Sequence, residues 1–395
     1  MARILKKIKR KKIFSTVSLA LFLIIGFFLG ISWSSYQATS ASSVDGVSAR
    51  ALKQMLTHKN FTLINVHTPY AGEIPGTDTF IAYDQIVASS ESLPKDKNTP
   101  IIVYCESGRM STEAVDTLQK LGYTNVKQLT GGMTAWKKAG ESLLDLSKLE
   151  DQVIPQGGVE MPVVWGDLGP RLVSLGVIDL PKFKQAVNLT PEQEQILTKG
   201  SDAKIKIDRT NVQFIVDTLW ALGLAQKSLV YDQGPMGTTS KKDAANFAST
   251  GGWTLANGSA MDYYNGSDMI PLTLDQQKRV AEISQNVYRP CCGNSTYFPD
   301  CNHGMAALAM IELMVSKNLD DNTIYKNLLA FNSYWFADTY LETATYFARQ
   351  GVSWKDVDAK RVMGAEFSSG QGASDTAKKV GPLPWRTQSG GSCGA

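Results

Sequence analysis

The chain has 395 residues, of which 43% are hydrophobic and 19% charged, so it carries enough apolar material for two or three folded domains. Wholesale disorder and collagen-like repeats are excluded by the same figures. Lys and Arg total 40 against 37 Asp and Glu. Seven of the basic residues fall within positions 1–12, and without them the remainder holds 33 against 37, a net of −4. The basic excess therefore belongs to a targeting segment, and a nucleic-acid-binding surface is not indicated.

Directly after that cytoplasmic basic segment (1–12), residues 13–33 contain no charged side chain. Twenty-one residues at 1.5 Å rise cross a hydrocarbon core of about 30 Å. The Lys/Arg cluster in front orients such a span with its N-terminus in the cytoplasm and the rest of the chain outside. The expectation is an uncleaved single-pass membrane anchor. The small residues that follow (Ala38, Thr39, Ser40, Ala41) leave a cleaved signal peptide and secretion as the alternative. Residues 34–45 read as a spacer.

From 46 to 146, strand-like and helix-like segments alternate. Strands are predicted over 61–66, 101–105 and 125–130, and helices over 51–56, 110–121 and 133–138. This is the pattern of an α/β domain with a parallel sheet flanked by helices. From 147 to 367 the chain reads as a mostly helical domain. Thr190-Pro191-Glu192-Gln193 and Thr273-Leu274-Asp275-Gln276 are capping boxes. Val212, Ile215, Val216, Leu219 and Leu222 share one helical face, and 322–350 forms one long helix or two short ones. Its aromatic stripe is read as core packing. Residues 368–395, rich in Gly and Ser, are expected to be a flexible tail ending in Cys393.

Chemistry concentrates at five cysteines and three histidines. Five is an odd number for an exported chain, which leaves at least one thiol free, reactive or metal-bound. Cys105 stands where a buried strand ends and a helix begins. Loop amides and the helix N-terminus there favour a thiolate or a bound anion. Gly108 permits a tight backbone path, and Arg109 is expected to place a positive charge beside the sulfur.

The stretch Tyr104-Cys105-Glu106-Ser107-Gly108-Arg109-Met110-Ser111 resembles the active-site loop of rhodanese-family sulfurtransferases. Downstream, Leu121-Gly122-Tyr123, Asn125-Val126, Leu129, Gly131-Gly132-Met133 and Ala135-Trp136 match the end of that domain in spacing and type. Asn65-Val66-His67 sits where the family usually has Asp-Val-Arg. Gly72-Glu73-Ile74-Pro75-Gly76-Thr77 sits where Gly-His-Ile-Pro-Gly-Ala is typical. The resemblance implies a persulfide-forming nucleophile, Cys105, assisted by Arg109. It also implies an anion-binding loop of Glu106, Ser107, Gly108, Arg109 and Met110, with a small sulfur donor and a thiol acceptor as partners. The family arginine usually falls one position later, where this chain has Met110. Glu106 adds a negative charge that opposes thiosulfate binding and raises the thiol pKa.

A second cluster lies in the helical region, where Cys291, Cys292, Cys301 and His303 fall within thirteen residues. Three thiolates and an imidazole suit a soft ion, Zn²⁺ or Cu⁺. The spacing equally admits a disulfide from Cys301 to Cys291 or Cys292, closing a loop of about ten residues. The segment resembles an uncharacterised domain found together with rhodanese-like domains. Three functions stay open at this level: sulfane-sulfur transfer through Cys105, metal handling by the Cys/His cluster with the α/β domain as a docking module, and a disulfide-stapled surface protein that binds a protein partner through its helical domain. Cys393 reads either as a mobile thiol carrier or as an incidental tail thiol.

Overall fold

The structure, a computed structural model, describes residues 45–385. The predicted membrane anchor, the basic segment and Cys393 lie outside the described residues. Among those described, no helix is long and apolar enough to cross a membrane.

The first domain is built on β1 (Gly46–Val47), β2 (Thr62–Asn65), β3 (Thr79–Phe80), β4 (Ile101–Tyr104) and β5 (Val126–Leu129). They pair in the order β1-β5-β4-β2-β3, and every pairing is parallel. Parallel strands need crossovers, which here include α1 (Ala49–Leu56) between β1 and β2 and α2 (Arg109–Lys120) between β4 and β5, while α3 (Gly132–Lys138) follows the last strand. Side chains alternate across β4 and split the interior into two layers. Val103 and Cys105 pack with Ala114, Val115 and Leu118 of α2. Ile102 and Tyr104 pack with Leu52, Leu129, Met133 and Trp136 on the other face. That alternation turns the Cys105 sulfur toward the start of α2.

The second region opens with α4 (Leu149–Val153) and β6 (Val159–Gly166), then α5 (Leu168–Leu175), α6 (Leu180–Val187), α7 (Pro191–Lys199) and β7 (Ser201–Ile207). It continues with α8 (Val212–Ala225), α9 (Leu229–Gln233), α10 (Leu274–Gln285), α11 (Asn302–Ser316), α12 (Asp321–Trp335) and α13 (Ala337–Arg349). It ends with α14 (Ala359–Met363), α15 (Ala365–Ser368) and α16 (Gly370–Val380). Both predicted capping boxes form, at the starts of α7 and α10. At the centre α8 packs on α11. Residues 214–225 and 304–315 are buried on all sides, and such all-round burial marks interior helices.

The region is mostly helical, as expected, and it also holds an antiparallel ribbon formed by β6 and β7. Met161, Val163 and Trp165 point inward and alternate with exposed Glu160, Pro162 and Val164, a period of two that belongs to a strand. The segment expected to be a flexible tail from 368 instead contains α16, which is capped by the Ser369 side chain and buries Gly372, Ala373, Thr376 and Val380. Small residues dominate that face, so it nests closely on its neighbours and its composition imitates a linker. The aromatic stretch 322–350 forms two helices, broken at Phe336 (φ −132°, ψ 54°).

The two regions are joined through the side of the sheet that carries β3. Thr79 Oγ1 donates to Val380 O at the end of α16 (3.3 Å), and Tyr70 packs against Trp385 in a tilted ring contact with centroids 5.4 Å apart.

Candidate active site

Cys105 directly follows β4 and is 2% exposed. Its Sγ accepts from the backbone N–H of Gly108 (3.1 Å) and Ser111 (3.4 Å). Ser111 Oγ stands 3.6 Å from the sulfur and is within hydrogen-bond reach of Gly108 O (2.9 Å) and Gln128 Oε1 (2.8 Å). Gly108 caps α2 with φ +123°, which turns the loop amides inward. Two N–H groups at the positive end of a twelve-residue helix thus point at the sulfur and can hydrogen-bond an anion carried there.

The loop is anchored from behind by α3. Met133 N donates to Cys105 O and Thr134 N to Glu106 O, each at 2.9 Å. This approach depends on Gly132, where an added Cβ would lie 2.2 Å from Cys105 O and 2.7 Å from Glu106 O. The Gly131-Gly132 pair therefore shapes the nucleophile's loop, although it lies about 27 residues downstream in the chain.

Arg109, expected beside the sulfur, faces away from it. Nη1 pairs with Glu113 Oε1 at 2.6 Å and the guanidinium lies 5.5 Å over the Tyr83 ring. The first helical position directs the side chain outward along α2, where the residue one turn on is an acid. Met110 packs partly into the core beneath α2, and Ser107 is exposed. Glu106 is not an isolated negative charge. Its Oε1 lies 3.5 Å from Lys137 Nζ, and its Oε2 lies 3.5 Å from His67 Nε2. Burial lowers the His67 pKa while Glu106 opposes the change, so the imidazole is largely neutral near pH 7. His67 and Lys137 are loop neighbours that sequence reasoning did not single out. His67 was visible at the position of a family arginine, whereas Lys137 carried no signal beyond a surface lysine.

The second cluster brings three of its four predicted residues together. The sulfurs of Cys291, Cys292 and Cys301 all lie within 4.8 Å of one another. Cys291 Sγ and Cys301 Sγ are 3.5 Å apart, and all four described cysteines are free thiols, with no disulfide among the described residues. Cys301 is the N-cap of α11, its Sγ accepting from Gly304 N at 3.4 Å. Arg289, 1% exposed, donates from Nε to the same sulfur at 3.1 Å. Its remaining donors reach Asn294 O and Phe298 O (3.0 Å each) and Asp300 Oδ1 (2.5 Å). Hydrogen bonds from Cys291 and Cys292, together with the guanidinium, hold the Cys301 thiol well below its usual pKa, and Cys291 as donor is pushed up.

His303 does not join the sulfurs. Two residues beyond the N-cap, its ring lies outside the group formed by the three sulfurs. There it packs on Phe336 (centroids 4.5 Å apart) and Trp335 (5.5 Å), and burial lowers its pKa to about 4. Sequence reasoning also missed Arg289, which nothing in the chain marks as buried.

Comparison with known proteins bears on the first of these sites. Residues 48–139 match the family model of the rhodanese-like domain. A sulfurtransferase of Allochromatium vinosum is 31% identical over 101 residues, covering 25% of this chain and 92% of that protein. The thiosulfate sulfurtransferase GlpE of Pseudoalteromonas translucida is 28% identical over 89 residues, covering 22% of this chain and 82% of the relative. Among solved structures, a rhodanese-like domain protein from Staphylococcus aureus is 26% identical and covers 26% of this chain and 99% of its own, with a TM-score of 0.23. Through its first domain, with Cys105 at the end of β4, this chain belongs to the rhodanese-like sulfurtransferase family.

Proposed function

We propose that this protein is a sulfurtransferase that carries sulfane sulfur on Cys105 and delivers it to a thiol. The Cys105 thiolate attacks the outer sulfur of a small sulfane donor. The donor S–S bond breaks, its electron pair leaves with the remainder of the donor, and a Cys105 persulfide forms. A thiolate acceptor then attacks the outer sulfur and releases the Cys105 thiolate, so no external oxidant or reductant is required. The observation that carries this reading is the pair of N–H groups at 3.1 and 3.4 Å from Sγ, which stabilise sulfur anions on both sides of the reaction.

The test is sulfur transfer from thiosulfate or a small persulfide to a dithiol. The wild type should transfer and should show a mass gain of one sulfur atom on the Cys105 peptide, and Cys105→Ser should do neither. Transfer at wild-type rate by Cys105→Ser would overturn the reading. The same proposal places the body of the protein outside the cytoplasm, held by residues 13–33. It rests on the uncharged run behind seven basic residues. Protease added to intact cells should then cleave the body, and protection of the body would refute that placement.

A further inference from the structure

We propose that Cys291, Cys292 and Cys301 form a thiolate-only binding site for one soft d¹⁰ cation, Zn²⁺ or Cu⁺, separate from the Cys105 site and independent of the sulfurtransferase reading. The first argument is the convergence of three sulfurs rather than two. They come from a loop and a helix cap ten residues apart, and all lie within 4.8 Å of one another. A metal–sulfur bond of about 2.3 Å implies sulfur–sulfur edges of about 3.8 Å in a tetrahedral or trigonal thiolate site. The Cys291–Cys301 separation of 3.5 Å and the 4.8 Å upper bound bracket that value. A disulfide, by contrast, needs about 2.05 Å between two sulfurs and would leave the third without a role.

The second argument is the shell around the sulfurs. Ligating thiolates are commonly held by N–H donors that fix their orientation and offset their charge. Cys301 Sγ has two such donors, Arg289 Nε and Gly304 N. Arg289 is in turn held by Asp300 and two carbonyls, and Asp300 Oδ2 accepts from Asn294 Nδ2 at 2.7 Å. Gly304 leaves room for this arrangement, since a Cβ there would lie 2.5 Å from Arg289 Cζ. Once deprotonated to ligate an ion, the three thiolates would carry three negative charges, of which the buried Arg289 guanidinium offsets one and the bound cation the remainder.

The donor set also decides the class of ion. Sulfur alone selects Zn²⁺ or Cu⁺ over Mg²⁺, Ca²⁺ or Mn²⁺. His303 is turned onto Phe336 and Trp335, so the protein supplies three ligands, and Cys291 is exposed on the outer side. Cu⁺ would be complete with three thiolates, and Zn²⁺ would take a fourth ligand from solvent or a partner.

The test uses the full chain purified without chelator and then titrated with Zn²⁺ alone and with Cu⁺ alone against a chromophoric competitor. About one ion per chain is expected, with the three thiols protected from alkylation until a strong chelator is added. X-ray absorption should show about three sulfur neighbours at ~2.3 Å. Cys291→Ser and Cys292→Ser, at the two more accessible positions, should retain the helical circular dichroism and weaken binding at least tenfold. His303→Asn should bind as the wild type does. The ion that fills the site at equal supply identifies which of the two it takes. The proposal is overturned if neither ion binds, if freshly purified protein contains a Cys291–Cys301 disulfide, if a bound ion survives both serine substitutions, or if His303→Asn abolishes binding.

Discussion

Glu73 and Arg349, 276 residues apart in the chain, form a buried two-pronged ion pair between the sulfurtransferase domain and the helical region. The bonds are 2.9 Å from Nε to Oε2 and 2.8 Å from Nη2 to Oε1, with side chains 0% and 5% exposed for Glu73 and Arg349. Arg349 Nη1 also donates to Asp78 O (2.9 Å) and Val380 O (2.7 Å), which ties the segment before β3 to the end of α16. This accounts for the glutamate where the family usually has histidine, because in this chain the position is an attachment point for a second domain. A buried pair is costly to assemble and more costly to leave half made.

Removing one partner should therefore destabilise the protein by about 3–5 kcal/mol, since the other charge stays buried without compensation. Arg349→Met and Glu73→Gln should each lower the urea midpoint, and the double variant should lose clearly less than the sum of the two. Strict additivity in that cycle would show that the pair does not couple the domains.

The loop that holds Cys105 makes a sharper prediction. At Gly132 even one methyl group meets Cys105 O at 2.2 Å, a distance at which the backbone must move. Gly132→Ala should displace the loop amides from the sulfur. The expected result is a loss in kcat/KM of tenfold or more, about 1.4 kcal/mol, with a smaller fall in thermal stability than a core cavity produces. Wild-type transfer kinetics in this variant would show that α3 does not set the loop.

Glu106 tests the electrostatics at the mouth of the same site. Its carboxylate is offset by Lys137 and faces His67, yet it remains the one acid in the loop. Glu106→Gln should raise kcat/KM for an anionic donor by a few-fold, the effect of ~1 kcal/mol for a charge several ångströms away in a partly solvated site. The gain should shrink at high salt. Lys137→Ala should act in the opposite direction. An unchanged or reduced rate with thiosulfate in Glu106→Gln would mean that the carboxylate takes part in binding.

The first domain was legible because its signals are local. Residues 101–104 form a four-residue apolar strand, Cys105 follows it directly, and a helix starts after one glycine. The orientation of Arg109 was not legible, because it depends on Glu113 one turn away and on Tyr83 from another segment. In the second region the capping boxes announced α7 and α10, whereas β6 was hidden by a reading that expected helix and passed over its period of two. The cysteine cluster shows the same boundary. Spacing brought Cys291, Cys292 and Cys301 into one group, but only the packed structure sets His303 apart from it and shows that Arg289 is an interior residue. Charges fixed by distant partners, such as Glu73 with Arg349, leave no trace in short-range pattern.

The centre of the helical region holds one more such residue, with a consequence for pH dependence. Glu312 of α11 is completely buried, and neither of its carboxylate oxygens makes a well-formed hydrogen bond. Burial raises its pKa from 4.5 to about 8, which the nearby Ser228 hydroxyl only partly offsets. Between those two values the unfolded chain has released this proton and the folded chain still holds it. The folded state therefore binds more protons there, and stability falls as pH rises through that window. The contribution is fully present below about 4.5 and is gone above about 8. Asp217, with its pKa raised to about 6 by burial, acts in the same sense at lower pH, whereas the lowered pKa values of His67, His303 and Cys301 act in the opposite sense. The Glu312 contribution is therefore read between pH 6.5 and 8 as the difference between wild type and a variant that lacks only this carboxyl. At roughly 1.4 kcal/mol per pH unit for one proton, the Glu312 contribution alone should fall by about 2 kcal/mol across that interval. Glu312→Gln keeps the shape without a titrating group and should lose correspondingly less over the same interval. Urea unfolding of both proteins at pH 6.5 and 8 measures the difference, and parallel losses would mean that Glu312 does not carry a proton in the folded state.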